Sequence, residues 1–155
     1  MRTYLHFALT FALLAESVAG LHWTVPAGWK TGGPKPMRAA TYLVEDSECV
    51  VYFFGQGQGG SVQANLDRWK GQFAEPAKAA IAKRVVHGLP VTTVDVSGSY
   101  AGMGGAAAKP GYRMLGAIIE NPGGNIFLKF AGPAKTVAAN QGKFEQLLGS
   151  FDKDH

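Results

Sequence analysis

The spacing of apolar residues divides this 155-residue chain into short alternating stretches and two longer stretches at helical spacing. Leu21-His22-Trp23-Thr24-Val25 alternates and stops at Pro26-Ala27-Gly28, which predicts a first strand. A Gly/Pro-rich link, Thr31 to Pro36, follows. Met37 to Val44 then alternates again, with Met37, Ala39, Thr41 and Leu43 on one face. The polar turn Glu45 to Glu48 leads into Cys49-Val50-Val51-Tyr52-Phe53-Phe54, an apolar run that reads as a fully buried strand. So short a link makes these two strands antiparallel neighbours.

The first helix is announced by Ser61, an N-cap residue that follows the glycine-rich turn Gly55 to Gly60. Val62, Leu66, Trp69 and Phe73 form one apolar stripe, with Gln63, Asp67 and Lys70 opposite. Glu75-Pro76 is expected to restart a short alanine-rich turn of helix through Lys83. Arg84 to Ser97 reads as extended, bent at Gly88 and Pro90, and Gly98 to Pro110 as a mobile loop. Tyr112 to Glu120 and Asn125 to Ala131 are expected to form a hairpin about Asn121-Pro122-Gly123-Gly124. The last helix opens at Gly132-Pro133 with proline at N1, and Val137, Phe144, Leu147, Leu148 and Phe151 make its apolar face. Three strands, a helix, three strands and a helix, joined by hairpin-length links, predict an α+β sandwich. Its sheet is mainly antiparallel, of about six strands, with amphipathic helices packed on it.

The N-terminus carries an address. Arg2 precedes an apolar core from Phe7 to Leu14, and Ser17-Val18-Ala19 places small residues where a signal peptidase reads them. The expectation is a signal peptide over residues 1–19, cleavage after Ala19, and a single domain over 20–155 that is exported to the periplasm or outside the cell. Glu16 interrupts the apolar run before the length a membrane span needs; the alternative is an uncleaved N-terminal anchor.

Composition changes this picture little. One cysteine, Cys49, excludes an intrachain disulfide, and its place in an apolar strand makes it structural. The net charge of +4 is spread along the chain without an aromatic-interleaved basic run, so no nucleic-acid face is expected. Glycine is over-used at 21 residues, in clusters without a repeat, which means loops and not a fibre.

The strongest chemical motif is Gly55-Gln56-Gly57-Gln58-Gly59-Gly60, which follows a strand, opens a helix and has dinucleotide spacing. The acidic residue that would hold a ribose is missing at the expected distance, since Glu75 comes too early and Asp95 too late. The candidate ligand residues are therefore Gly57, Gly59, Gly60 and Ser61, as an anion site at a helix N-terminus, with Asn65 and Arg68 beside it. The competing reading is a tight turn tied to the helix by these same side chains. No serine lies in a nucleophile elbow and no zinc-ligand spacing occurs, so no catalytic residue, metal or cofactor is expected. Trp23 and Trp29 are expected to cover one end of the core.

Trp23-Thr24-Val25-Pro26-Ala27-Gly28-Trp29 resembles the opening strand and proline-glycine-tryptophan turn of PsbP-like domains. The element order over residues 21–151 resembles that fold too, and Gly57 to Phe73 is similar to a group of uncharacterised exported bacterial proteins. The resemblance implies an accessory or binding domain without catalysis and carries over no functional residue. Three functions follow as expectations. The first is an exported module that binds a protein or envelope component through a sheet edge or the Gly98–Pro110 loop. The second is a phosphate-type anion binder at the Gly55–Gly60 turn. The third is an enzyme of unrecognised type, needing His87, Asp95 or Glu120 in one cleft.

Overall fold

The alternating stretches of the sequence form two antiparallel sheets in the computed structural model, which describes residues 15–74, 77–102 and 107–155. The small sheet joins β1 (Ala15–Val18), β2 (Leu21–Thr24) and β10 (Asp152–Lys153) in the order β1-β2-β10. The large sheet contains β3 (Lys30–Thr31), β4 (Arg38–Val44), β5 (Ser47–Phe53), β6 (Lys78–Val86), β7 (Leu89–Tyr100), β8 (Lys109–Ile119) and β9 (Ile126–Pro133). Its order is β3-β4-β5-β9-β8-β7-β6. Two helices, α1 (Val62–Lys70) and α2 (Ala134–Gly149), lie on it. The α+β class and the antiparallel sheet are as expected, although the large sheet alone has seven strands and not about six.

The main correction concerns residues 76–83, expected to be helical. Lys78 to Val86 is a strand, paired with β7 from Lys78↔Ser97 to Val86↔Leu89. His87 and Gly88, at φ 46° and 79°, make the two-residue turn between them. Positive φ at both central positions is what a type I′ hairpin turn requires, and a closed ladder overrides the helix preference of alanine. The stretch 84–97 is thus two strands and a turn, not one bent strand. Glu75 and Pro76 lie outside the described residues. The loop expected over Gly98–Pro110 is shorter, because β7 runs on to Tyr100 and β8 begins at Lys109. Its residues 103–106 lie outside the described residues. Pro133 takes the N-cap position of α2, one place earlier than N1.

Side chains alternate across each strand, so the sheet builds two cores. On one face Cys49, Val51, Leu128, Phe130, Leu115 and Ala117 pack under α2 through Val137, Phe144 and Leu148. Burial pushes the Cys49 thiol far above its ordinary pKa, which leaves it inert as expected. Trp23 and Trp29 belong to this core: Trp23 stacks on Phe151 at 4.9 Å, and Trp29 tilts against Phe130 at 5.4 Å. On the other face Trp69 and Leu66 of α1 pack against Met114, Ile118, Phe127 and Val94.

β1 lies inside the segment expected to be removed as a signal peptide, and residues 1–14 of that segment are outside the described residues. Ala15 to Val18 pairs with Thr24 to Leu21. Trp23 Nε1 donates to the buried Tyr42 hydroxyl at 2.8 Å, and that hydroxyl in turn donates to the Glu16 carboxylate. Burial, reinforced by Glu16, raises the Tyr42 pKa well above 10. A chain that starts at Gly20 lacks both the strand and this acceptor. It is expected to be less stable than one starting at Ala15 by about 1–2 kcal/mol, the cost of stranding a buried donor. Urea denaturation of the two chains checks this, and equal midpoints would show that β1 contributes nothing.

Candidate functional site

α1 covers only part of its face of the sheet. Nine residues of helix span about 13 Å, whereas seven strands spread over about 29 Å. Its seat is set by Gly116 on β8: a β-carbon there would lie 2.7 Å from Trp69 Cε3 and 3.0 Å from Val94 Cγ1, so the indole rests on bare backbone. Ser61 caps the helix, its Oγ accepting from the Ala64 amide at 3.0 Å. The approach to the helix is equally close. Gly59, at φ 94°, lies against Phe54 and Phe127, where a β-carbon would come within 2.8 Å of both rings.

Beside α1 the face stays open, and two adjoining cavities of about 420 and 180 Å³ occupy it, with Tyr52 and Lys129 lining both. Three cations there each lie over a tyrosine ring: Arg38 over Tyr52 at 5.6 Å, Lys109 over Tyr112 at 5.6 Å, and Lys129 over Tyr100 at 5.2 Å. Tyr100 stacks on Tyr112 at 5.6 Å, and Tyr52 on Phe54 at 5.8 Å. The result is a pair of aromatic shelves on either side of Lys129.

Lys129 sits on β9, in the middle of the sheet, half-buried. Its Nζ donates to Gln72 Oε1 at 2.6 Å and to the Tyr100 hydroxyl at 2.9 Å, both neutral groups. The nearby carboxylate Glu48 is taken by Arg38 at 2.9 Å. Among the described residues no carboxylate pairs with Lys129. Burial, with Arg38 nearby, lowers its pKa from the usual 10.5 to about 8. A half-buried ammonium satisfied only by neutral acceptors is costly, and a bound anion would relieve that cost.

The residues singled out in the sequence fall in two groups. Asn65 is buried and its amide donates to the carbonyls of Gly59 and Ser61, both at 2.8 Å, so it ties the turn to the helix. Arg68 reaches Asn65 Oδ1 at 3.4 Å, and both side chains line the smaller cavity. Gly57, Gly59, Gly60 and Ser61 stay on the turn and line neither cavity. The residues suggested for an enzyme are dispersed. Asp95 is held in a two-pronged pair by Arg113 at 2.9 and 2.7 Å, His87 Nδ1 lies 2.8 Å from the Phe151 carbonyl, and Glu120 lines a separate cavity with Lys83. The described residues contain no cluster of three metal-ligating side chains, and none of their helices is long and apolar enough to cross a membrane.

Sequence reasoning passed over Lys129 altogether. The signal was present in Ile126-Phe127-Leu128-Lys129-Phe130, where one lysine interrupts an apolar central strand. Such a residue must point into the other core, be paired, or face a cavity.

Compared as a sequence, the chain matches no family model and no curated protein. Compared as a structure, it is similar to cyanobacterial PsbP (CyanoP) from Synechocystis sp. PCC 6803, with a TM-score of 0.56, 14% identity and 87% of each chain covered. It is also similar to PA94 from Pseudomonas aeruginosa, a protein of unknown function, with a TM-score of 0.50, 9% identity, and 88% of this chain and 93% of that one covered. The fold is PsbP-like. At these identities the likeness concerns architecture and assigns no site.

Proposed function

We propose that this protein is an exported, non-catalytic binding module that holds an anionic ligand on the open face of its large sheet. The observation that carries the reading is Lys129, a half-buried cation bonded to Gln72 and Tyr100 between two aromatic shelves. Arg38, Lys109 and Arg68 line the same two cavities, so with Lys129 the cations of the groove outnumber its two carboxylates, Asp46 and Glu48. Export is supported by the signal-like pattern of residues 1–19, and a protein or envelope partner by the breadth of the open face. Tyr100 and Lys109, the strand ends that flank the shortened loop, both line the groove, which joins the loop to this reading.

A phosphate site at the Gly55–Gly60 turn has less support, because the Ser61 hydroxyl is occupied in capping the Ala64 amide and the Asn65 amide in tying down the Gly59 and Ser61 carbonyls. The test uses benzoate, an anion on an aromatic ring, followed by nuclear magnetic resonance. Saturable shifts are expected in Lys129, Tyr100 and Trp69, with millimolar affinity, lost in Lys129→Met. Shifts confined to Gly57 through Ser61 would move the site to the turn. No saturable shift anywhere would overturn the reading.

A further inference from the structure

We infer that the ligand of the open face is an extended protein segment of about six residues, with a glutamate or aspartate over Lys129 and apolar side chains on both sides of it. This rests on the anion-binding reading above and adds what carries the anion. The larger cavity begins at Leu43 and Arg38 on β4 and ends at Tyr100 on β7, crossing β5, β9 and β8 on the way. Four strand spacings make that path about 19 Å long, the reach of six extended residues. The smaller cavity continues it past Lys129 beneath α1, against Phe54, Trp69 and Phe127.

A small anion would use one point of this path, at Lys129, and leave the shelves idle. The Tyr100–Tyr112 stack and the Tyr52–Phe54 stack lie on opposite sides of that point and offer apolar area to neighbouring side chains of one strand-like segment. The strands beneath are central, with both backbone edges already paired, so β5, β9 and β8 have no ladder to offer. Recognition falls to side chains, and the bound segment keeps its own backbone toward water. Its acidic residue supplies Lys129 with the charge partner that Gln72 and Tyr100 do not.

The full chain is titrated calorimetrically with three probes: benzoate, the blocked peptide Val-Phe-Glu-Val-Phe-Gly, and its analogue with glutamine for glutamate. The glutamate peptide is expected to bind at least tenfold tighter than either other probe. Lys129→Met should reduce it to the level of the glutamine peptide, while Lys83→Met, on β6, leaves it unchanged. If benzoate binds and the glutamate peptide binds no tighter, the segment is wrong while the anion reading stands. If the two peptides bind equally, the acidic position is wrong. If no probe binds, both readings fall together.

Discussion

Gly116→Val is expected to destabilise the domain by about 2–3 kcal/mol and to abolish binding at the open face in the same step. The site has no room: the added β-carbon alone would sit 2.7 Å from Trp69 Cε3, in contact with a rigid indole, and valine adds two methyl groups beyond it. Backbone on one side and Val94 on the other leave the ring one escape, outward, and α1 must move with it. Leu66 and Phe73 then lose their seats on the sheet, while the core under α2 keeps every contact. The smaller cavity disappears as a consequence, since Asn65, Arg68 and Trp69 are its α1 wall. Urea denaturation and the peptide titration read the two effects. Gly33→Ala is the control, because a β-carbon there meets nothing within 4 Å. A Gly116→Val protein of unchanged stability would mean that Trp69 does not rest on this strand.

Lys129→Met should do the opposite to stability while also removing binding. In the fold Lys129 loses its proton near pH 8, in the unfolded chain near 10.4. Below pH 8 both states hold the proton, and the fold bears the whole cost of a half-buried charge. Between about 8 and 10.4 the unfolded chain holds more protons, so the stability of the natural protein rises with pH through this window. The full difference is about 3 kcal/mol. Methionine fills a similar volume without the charge and has that gain already at pH 7. Part of it is offset there, because Gln72 and the Tyr100 hydroxyl lose a donor. A net stabilisation of about 1–2 kcal/mol at pH 7 is expected, shrinking as the pH approaches 10. Urea midpoints of both proteins from pH 7 to 10 give the answer. Parallel curves with the variant lower would show Lys129 to be an ordinary solvated lysine.

The fold was legible where one face of an element is buried and the other is not. The stripe of Leu66 and Trp69, the cap at Ser61 and the hairpin of β8 and β9 follow from spacing alone, because burial imposes the period. Phe73, expected on the same helix face, lies beyond its end at Lys70 and bridges to Tyr100. β6 did not follow. Its alternation is silent, since eight of its nine residues are exposed and no buried face marks the period. Only the His87-Gly88 turn betrays it, and a histidine at positive φ is a weak sign in sequence. β1 was hidden differently: small and apolar residues before Ala19 satisfy a signal peptide and a strand equally well. For the site, Asn65 and Arg68 were visible as helix neighbours. The groove they line was not, because it depends on how short α1 is relative to the sheet and on bringing Arg38, Tyr52, Tyr100 and Lys129 from separate strands to one face.

Every neighbouring pair in the large sheet is consecutive in the chain except β5 with β9. The meanders β3 to β5 and β6 to β9 can each zip from their own turns, but the seam joins Phe53 to Ile126, half the chain away. Closing so long a loop costs entropy before any contact returns it, so the seam sets the pace of folding. Until it closes, neither core is complete and the polypeptide stays threadable. Both cores therefore form late and together, and the strand order itself acts as the timer.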